Sequence, residues 1–257
     1  MTIKARPFII ASLLLIVVAL FYVSCKKGET SGIDNGVNKK EISIQIAKNL
    51  YESFTGSTDA SRKMAASVSR SGLQVNTTQC GTSVDSVVNS TITVAGTSTQ
   101  TITGHINTKY ICDNNGWTIG YTLTGSILIV RSLPTYDYEA TVKQKYDAIA
   151  KNYNYGVVSV NGTQQSHIIQ TNKFPTPKTT DQFNNFTLKE MVVDALAAKG
   201  ADIISGTALF DVHGTIAGTA FSFPGEIAFI GDYKVVVSFS GEAYTVNMLT
   251  DEVTPAK

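Results

Sequence analysis

Apolar positions along this chain follow three different patterns, and each predicts a different kind of element. From Phe8 to Val23 they run almost without interruption. From Ile46 to Phe54 they recur at helical spacing, with Ile46, Ala47, Leu50, Tyr51 and Phe54 on one stripe. Asn38 and Glu41 stand where a capping box would open such a helix, and Gly56 where it would close. The spacing therefore predicts an amphipathic helix over 39–54. Residues 57–72 are polar and mixed and read as loop. From Leu73 onward the dominant period is two, the period of half-buried strands.

Two hairpins are legible. "QTITGHINTKYIC" and "WTIGYTLTGSILIV" alternate around "DNNG". A two-residue type I′ turn at Asn115-Gly116 pairs Tyr110 with Tyr121, Cys112 with Ile119, Ile106 with Gly125 and Ile102 with Ile129. All four pairs lie on one face, and a slip by one residue would turn the apolar set of one strand outward. The other face carries His105 and a run of threonines. Near the C-terminus "YKVVVSF" and "YTVNM" flank Gly241-Glu242, where a type II′ turn pairs Phe239 with Tyr244, Val237 with Val246 and Val235 with Met248. Strands over 201–213 and 216–230 precede it, with Gly214 and Pro224-Gly225 as breaks.

Two segments stay ambiguous. Residues 136–155 alternate from Tyr136 to Val142, yet Val142, Tyr146, Ile149 and Tyr153 also fall at helical spacing. Residues 187–199 carry a Thr187…Glu190 box and a Gly200 stop and are assigned to helix, although Met191-Val192-Val193 suits a strand equally. The sum is a mainly β chain: an antiparallel β-sandwich or a strongly curved sheet, with an N-terminal amphipathic helix and room for one or two short further helices. It is organised as a single domain over 39–257.

The uninterrupted apolar run has its own meaning. Lys4 and Arg6 precede it, Ser24-Cys25 end it, and it is shorter than the roughly 20 residues that span a bilayer. "YVSC" resembles the cleavage box of bacterial lipoproteins, and "SCKK" followed by a polar spacer is similar to lipoproteins of Bacteroidota. The resemblance covers only the leader. It implies a signal peptide over 1–24, acylation of Cys25, and a flexible tether over 25–38. It also implies a cell-envelope address, at the outer membrane on its periplasmic or surface-exposed side. Two acyl chains suffice to hold a protein stably on a membrane, so the partner that the leader implies is the bilayer itself.

Composition narrows the rest. Losing Lys4 and Arg6 with the leader takes the basic count from 21 to 19, against 20 acidic residues. A net charge near −1 argues against nucleic acid as a partner, since phosphate backbones require clustered Lys and Arg. Cys80 and Cys112 remain after Cys25 is used, and in an oxidising compartment they are a candidate disulfide or two buried thiols. Bonded, they would close a loop of about 30 residues for roughly 3 to 4 kcal/mol in the chain-entropy treatment.

No catalytic signature is present: no GxSxG elbow, P-loop, GxGxxG or HExxH. His105, His167 and His213 are far apart in the chain, and Asp211 and His213 share one face of an expected strand without an identifiable third metal ligand. No cofactor, metal site or catalytic residue is therefore assigned. Trp117, Tyr136, Tyr138, Tyr153 and Tyr155 are the candidate ligand-binding residues, because aromatic faces stack on the apolar faces of sugars; the same residues are also good strand formers. The expectation is a membrane-tethered, non-catalytic protein that binds a glycan or an envelope protein or plays a structural role. A periplasmic carrier of an apolar ligand and a glycan hydrolase are the alternatives.

Overall fold

The computed structural model describes residues 36–55, 80–94, 98–152, 156–174 and 176–256. The leader, Cys25, the tether up to residue 35 and the loop expected over 57–72 lie outside the described residues, as do Tyr153 and Tyr155.

Among the described residues one helix, α1 (Lys39–Thr55), precedes eleven strands. These are β1 (Ser83–Val94), β2 (Ser98–Cys112), β3 (Thr118–Ser132), β4 (Tyr136–Ala150), β5 (Val157–Asn172) and β6 (Lys178–Asp194). They continue as β7 (Asp202–Ile216), β8 (Thr219–Gly231), β9 (Lys234–Phe239), β10 (Glu242–Asn247) and β11 (Val253–Pro255). Each strand pairs antiparallel with the next, so the sheet order is the chain order from β1 to β11, and the sheet does not close. A single sheet answers the expected alternatives: the fold is the curved sheet and not the sandwich.

The helix forms where the apolar stripe predicts it. Asn38 Oδ1 accepts the backbone N–H groups of Lys40 at 3.2 Å and Glu41 at 3.5 Å, satisfying donors that a helix start leaves open. Ile42, Ile46, Ala47 and Leu50 are buried against the inner face of the sheet, where α1 meets β6, β7, β9 and β10. Each such aliphatic side chain contributes about 1.5–3 kcal/mol by leaving water. Polar clasps fix the docking at its ends: Lys39 Nζ to Glu242 Oε1 and Lys48 Nζ to Asp251 Oδ2, both 2.7 Å. The buried Tyr51 O–H donates to Asp202 Oδ1 at 2.8 Å, and Asp202 Oδ2 accepts the backbone N–H of Tyr233. Burial, with the Asp202 carboxylate beside it, pushes the Tyr51 phenol far above its ordinary range.

The β2–β3 hairpin keeps most of its expected register. Tyr110 pairs with Tyr121, Ile106 with Gly125 and Ile102 with Ile129. The end near the turn differs: Cys112 pairs with Thr118, not Ile119, across an irregularity. The turn explains why. Gly116 N–H bonds to Asp113 O at 3.1 Å, Asp113 Oδ1 accepts from the backbone of Asn115 and Trp117, and only Gly116 has positive φ. A four-residue turn, Asp113 to Gly116, whose last residue is a left-handed glycine replaces the two-residue type I′ turn, which needs positive φ at both central residues. Cys80 and Cys112 are disulfide-bonded, with Cα atoms 5.8 Å apart.

The β9–β10 hairpin turns at Ser240-Gly241, both at positive φ, and pairs Phe239 with Glu242, Val237 with Tyr244 and Val235 with Val246. The expected pairs are thus displaced by two residues. An even displacement keeps every side chain on its face, which is why the burial pattern still agrees. Gly214 and Pro224-Gly225 are not breaks: β7 and β8 run through them and turn instead at Ala217-Gly218. Gly225 is a packing glycine, since a Cβ there would lie 2.4 Å from the Phe210 ring and 2.3 Å from Ser238 O.

Both ambiguous segments are strand as far as Ala150 and Asp194. Tyr136–Ala150 is β4, and the helix expected over 187–199 is overturned: β6 continues to Asp194. Leu188, Met191 and Val193 point inward between β5 and β7, and pairing on both sides outweighs the local helix signals. Glu190 is no capping residue. It sits at φ +49° in a bulge, and its backbone N–H is held by Asn161 Oδ1 at 2.8 Å.

Candidate functional site

The inner face is a core, so the outer face of the sheet is where described side chains can meet a ligand. The strand registers place His167 on β5, Phe183 on β6 and His213 on β7 directly side by side. Their rings stack: His167 and Phe183 have centroids 4.0 Å apart and planes 6° apart, and Phe183 and His213 stand 5.4 Å apart at 12°. Strand spacing of about 4.8 Å sets this pitch, so the rings stand on edge like plates. The stack offers solvent its rim and its two end faces. Beside each end face stands a small side chain, Thr141 on β4 next to His167 and Ser222 on β8 next to His213. Phe183 is 41% exposed, unusual for a phenylalanine with so much apolar surface to hide.

Hydrogen bonding orients one end of the stack. His167 Nε2 lies 2.8 Å from Asp181 Oδ1, which fixes the imidazole on the sheet. A groove of about 330 Å³ runs along the stack, lined by Thr141, Lys143, Gln165 and Asn185 together with the three rings. A flat apolar-faced ring can enter such a site as a further rung. The amide, hydroxyl and ammonium groups around it can satisfy the ligand's own hydroxyls.

A second and larger groove, about 1010 Å³, opens further along the same strands. Lys151, Ser159, Asn161, Lys189, Glu190 and Ser205 are among its lining residues. Glu190 is the one carboxylate among the residues lining the two grooves, so neither presents the carboxylate pair that glycoside hydrolysis uses. Among the described residues no three His, Cys, Asp or Glu side chains are placed to hold a metal ion. Asp211 and His213 do share the outer face of β7, but His213 is engaged in the ring stack. His105 is also outward, with Nε2 3.9 Å from Asp85 Oδ1.

Of the aromatic residues singled out in the sequence, the three that are described, Trp117, Tyr136 and Tyr138, stand apart. Trp117, 52% exposed, stands at the β2–β3 turn, and Tyr136 begins β4. The fifteen residues of β3 separate them, about 50 Å at 3.3 Å per residue. Tyr138 is partly buried under Arg131, whose guanidinium lies 5.2 Å from the ring centroid. The ring stack was missed because its members are sixteen and thirty residues apart in the chain and only strand register brings them together. The signal was nevertheless present, since each ring stands between inward-facing neighbours in an alternating run. The chain matches no protein-family model, and no curated protein or solved structure is significantly similar to it.

Proposed function

We propose that this chain is a lipid-anchored protein of the cell envelope whose outer sheet face binds a glycan without catalysing a reaction on it. The observation that carries the binding reading is the exposed His167–Phe183–His213 stack. Rings held rigidly by a sheet lose little conformational freedom on meeting a ligand, and their apolar end faces match the apolar face of a pyranose. The address rests on the leader: basic residues, an apolar run, a small residue and Cys25 in that order. Ile42, Ile46 and Leu50 of α1 fill the inner face beneath the helix, which leaves the apolar-carrier reading with less support than surface binding.

Two measurements test this. Mass spectrometry of the protein purified from membranes should find a mature chain that begins at an acylated Cys25; a free thiol there, or a retained leader, overturns the address. Titration of the purified protein against a panel of oligosaccharides should find binders that Phe183→Ala weakens about tenfold or more. Phe183 lies at the surface, so the thermal transition of the variant should stay close to that of the parent. Unchanged affinity in the variant overturns the site.

A further inference from the structure

Three observations on the outer face, each independent of the others, point one way. The first is charge. From the ring stack toward the larger groove, the outward positions of β4 carry Lys143 and Lys145, and the groove adds Lys151 and Lys189. All four are exposed. The carboxylates along the same stretch are Asp147, Glu190 and, on β7 beside Asn185, Asp211; Asp147 is turned toward β3, where it accepts from Thr122 Oγ1 at 2.6 Å. The stretch is therefore positive in a protein that is close to neutral as a whole.

The second is the backbone. Glu190 is the one non-glycine residue among those described that has positive φ inside a strand; the others stand at turns. A conformation of this kind costs about 1–3 kcal/mol and persists only where its surroundings hold it. Here they do so from both sides. Asn161 Oδ1 caps the Glu190 N–H, and Gly206 leaves room, since a Cβ there would fall 2.5 Å from Glu190 O. The pairings of β5 with β6 and of β6 with β7 are both irregular at this level. Bulges re-aim side chains and open a regular surface, and these coincide with the large groove.

The third is alignment. Phe183 and Lys189 both face outward on β6, six residues apart with unbroken pairing to β7 between them, so about 20 Å of straight track joins stack and groove. Outward Asn185 and Thr187 on β6, and Gln165 and Thr163 on β5, line that track with hydrogen-bonding groups. A ligand that uses both ends must be long, extended, rich in hydroxyls and negatively charged.

We propose that the ligand is an acidic oligosaccharide lying along β5 and β6. One sugar packs against the ring stack, and carboxylate or sulfate groups further along the chain meet Lys143, Lys145, Lys151 and Lys189. This deepens the glycan-binding reading and rests on it.

The test uses the full acylated protein in detergent and four probes: an oligouronate, the same oligomer with its carboxylates reduced, a sulfated oligomer and its unsulfated parent. The oligouronate or the sulfated oligomer should bind at least tenfold tighter than its neutral counterpart and weaken steeply with added salt; which of the two does so identifies the anion. Lys151→Gln with Lys189→Gln should weaken the acidic oligomer about tenfold and leave the neutral one unchanged, whereas Phe183→Ala should weaken both. Equal, salt-insensitive binding of acidic and neutral oligomers, or indifference to the lysine pair, overturns the charge assignment while the glycan reading stands. If none of the four binds, the glycan reading falls and this inference with it.

Discussion

The two halves of the sheet solve the problem of the inner face differently. One row of inward positions, followed across consecutive strand pairs, reads Ile106, Gly125, Gln144 and Gln164 on β2–β5 and then Phe186, Phe210, Gly225 and Phe239 on β6–β9. In the second half the row is aromatic, α1 covers it, and Phe210, Phe223, Phe239 and Tyr244 meet edge to face or tilted. Around β5 it is polar and still buried. Gln144 Nε2 donates to Gln164 Oε1 at 3.3 Å, Asn184 Nδ2 to Ser166 Oγ at 2.9 Å, and Gln182 Nε2 to Asn184 Oδ1 at 2.6 Å. A buried amide without a partner costs several kcal/mol, so these groups are tolerable only because they pair, Gln144 with Gln164, and Ser166 and Gln182 through Asn184. One half is held by area removed from water, the other by mutual satisfaction of polar groups, and substitutions in the two should fail in different ways.

The largest effect is expected in the aromatic half. Phe186→Ala, at a position 2% exposed, should destabilise the protein by about 3–5 kcal/mol, through lost burial and the cavity left behind. Chemical denaturation of parent and variant measures it. A loss under about 1 kcal/mol would mean that the space beneath α1 collapses freely, and the contrast between the halves would weaken.

How much of this was legible in the residues follows how local each signal is. α1, the long part of the β2–β3 register and the Cys80–Cys112 bond rest on local signals: a periodic stripe, an alternating pair of runs, two cysteines in one compartment. The β9–β10 hairpin lost only details of its turn, because Val235, Val237 and Phe239 point inward whether the partner is displaced by two residues or not. β4 and the latter part of β6, one in each half, gave the larger errors. In β4 and in the latter part of β6 the alternation is broken by polar inward residues or by the Glu190 bulge, so helical spacing competes with it and only pairing on both sides decides. The ring stack required three strand registers at once, and one of its two spacings crosses a bulge, so no local pattern could place it.

An intermediate effect is expected where the polar half is connected. Asn184 joins Ser166 and Gln182, and Asn184→Ala leaves both without that partner inside the protein. The cost should be about 1–3 kcal/mol, that of stranded buried polar groups, with little cavity term. Asn184→Ala together with Gln182→Leu and Ser166→Ala should recover part of the loss, since apolar groups in place of all partners leave nothing stranded. If the triple variant is less stable than the single one by the sum of its parts, the three residues are independent and the network description is wrong.

The smallest effect at neutral pH, and the one most particular to the N-terminal half, concerns its buried phenols. Burial alone pushes Tyr121 up to about 12, and burial with Tyr121 nearby raises Tyr146 as well. The ordinary phenol value of 10.0 applies once the chain unfolds. A raised pKa means that the folded protein keeps protons the unfolded chain releases, so stability is level below pH 10. It then falls between pH 10 and about 12, by up to about 1.4 kcal/mol per pH unit for each retained proton. Tyr121→Phe removes that slope at its site, so the variant should unfold at higher pH than the parent while its denaturation midpoint at pH 7 stays nearly the same. Tyr51→Phe is the informative control in the other half: it removes an alkaline slope too, but it also takes the Tyr51 donor from the buried Asp202 Oδ1, so it should lower stability at pH 7. A Tyr121→Phe variant with the parent's alkaline limit would show that this ring is hydrated in the native state, and the sheet would then be open to water where β2 meets β3.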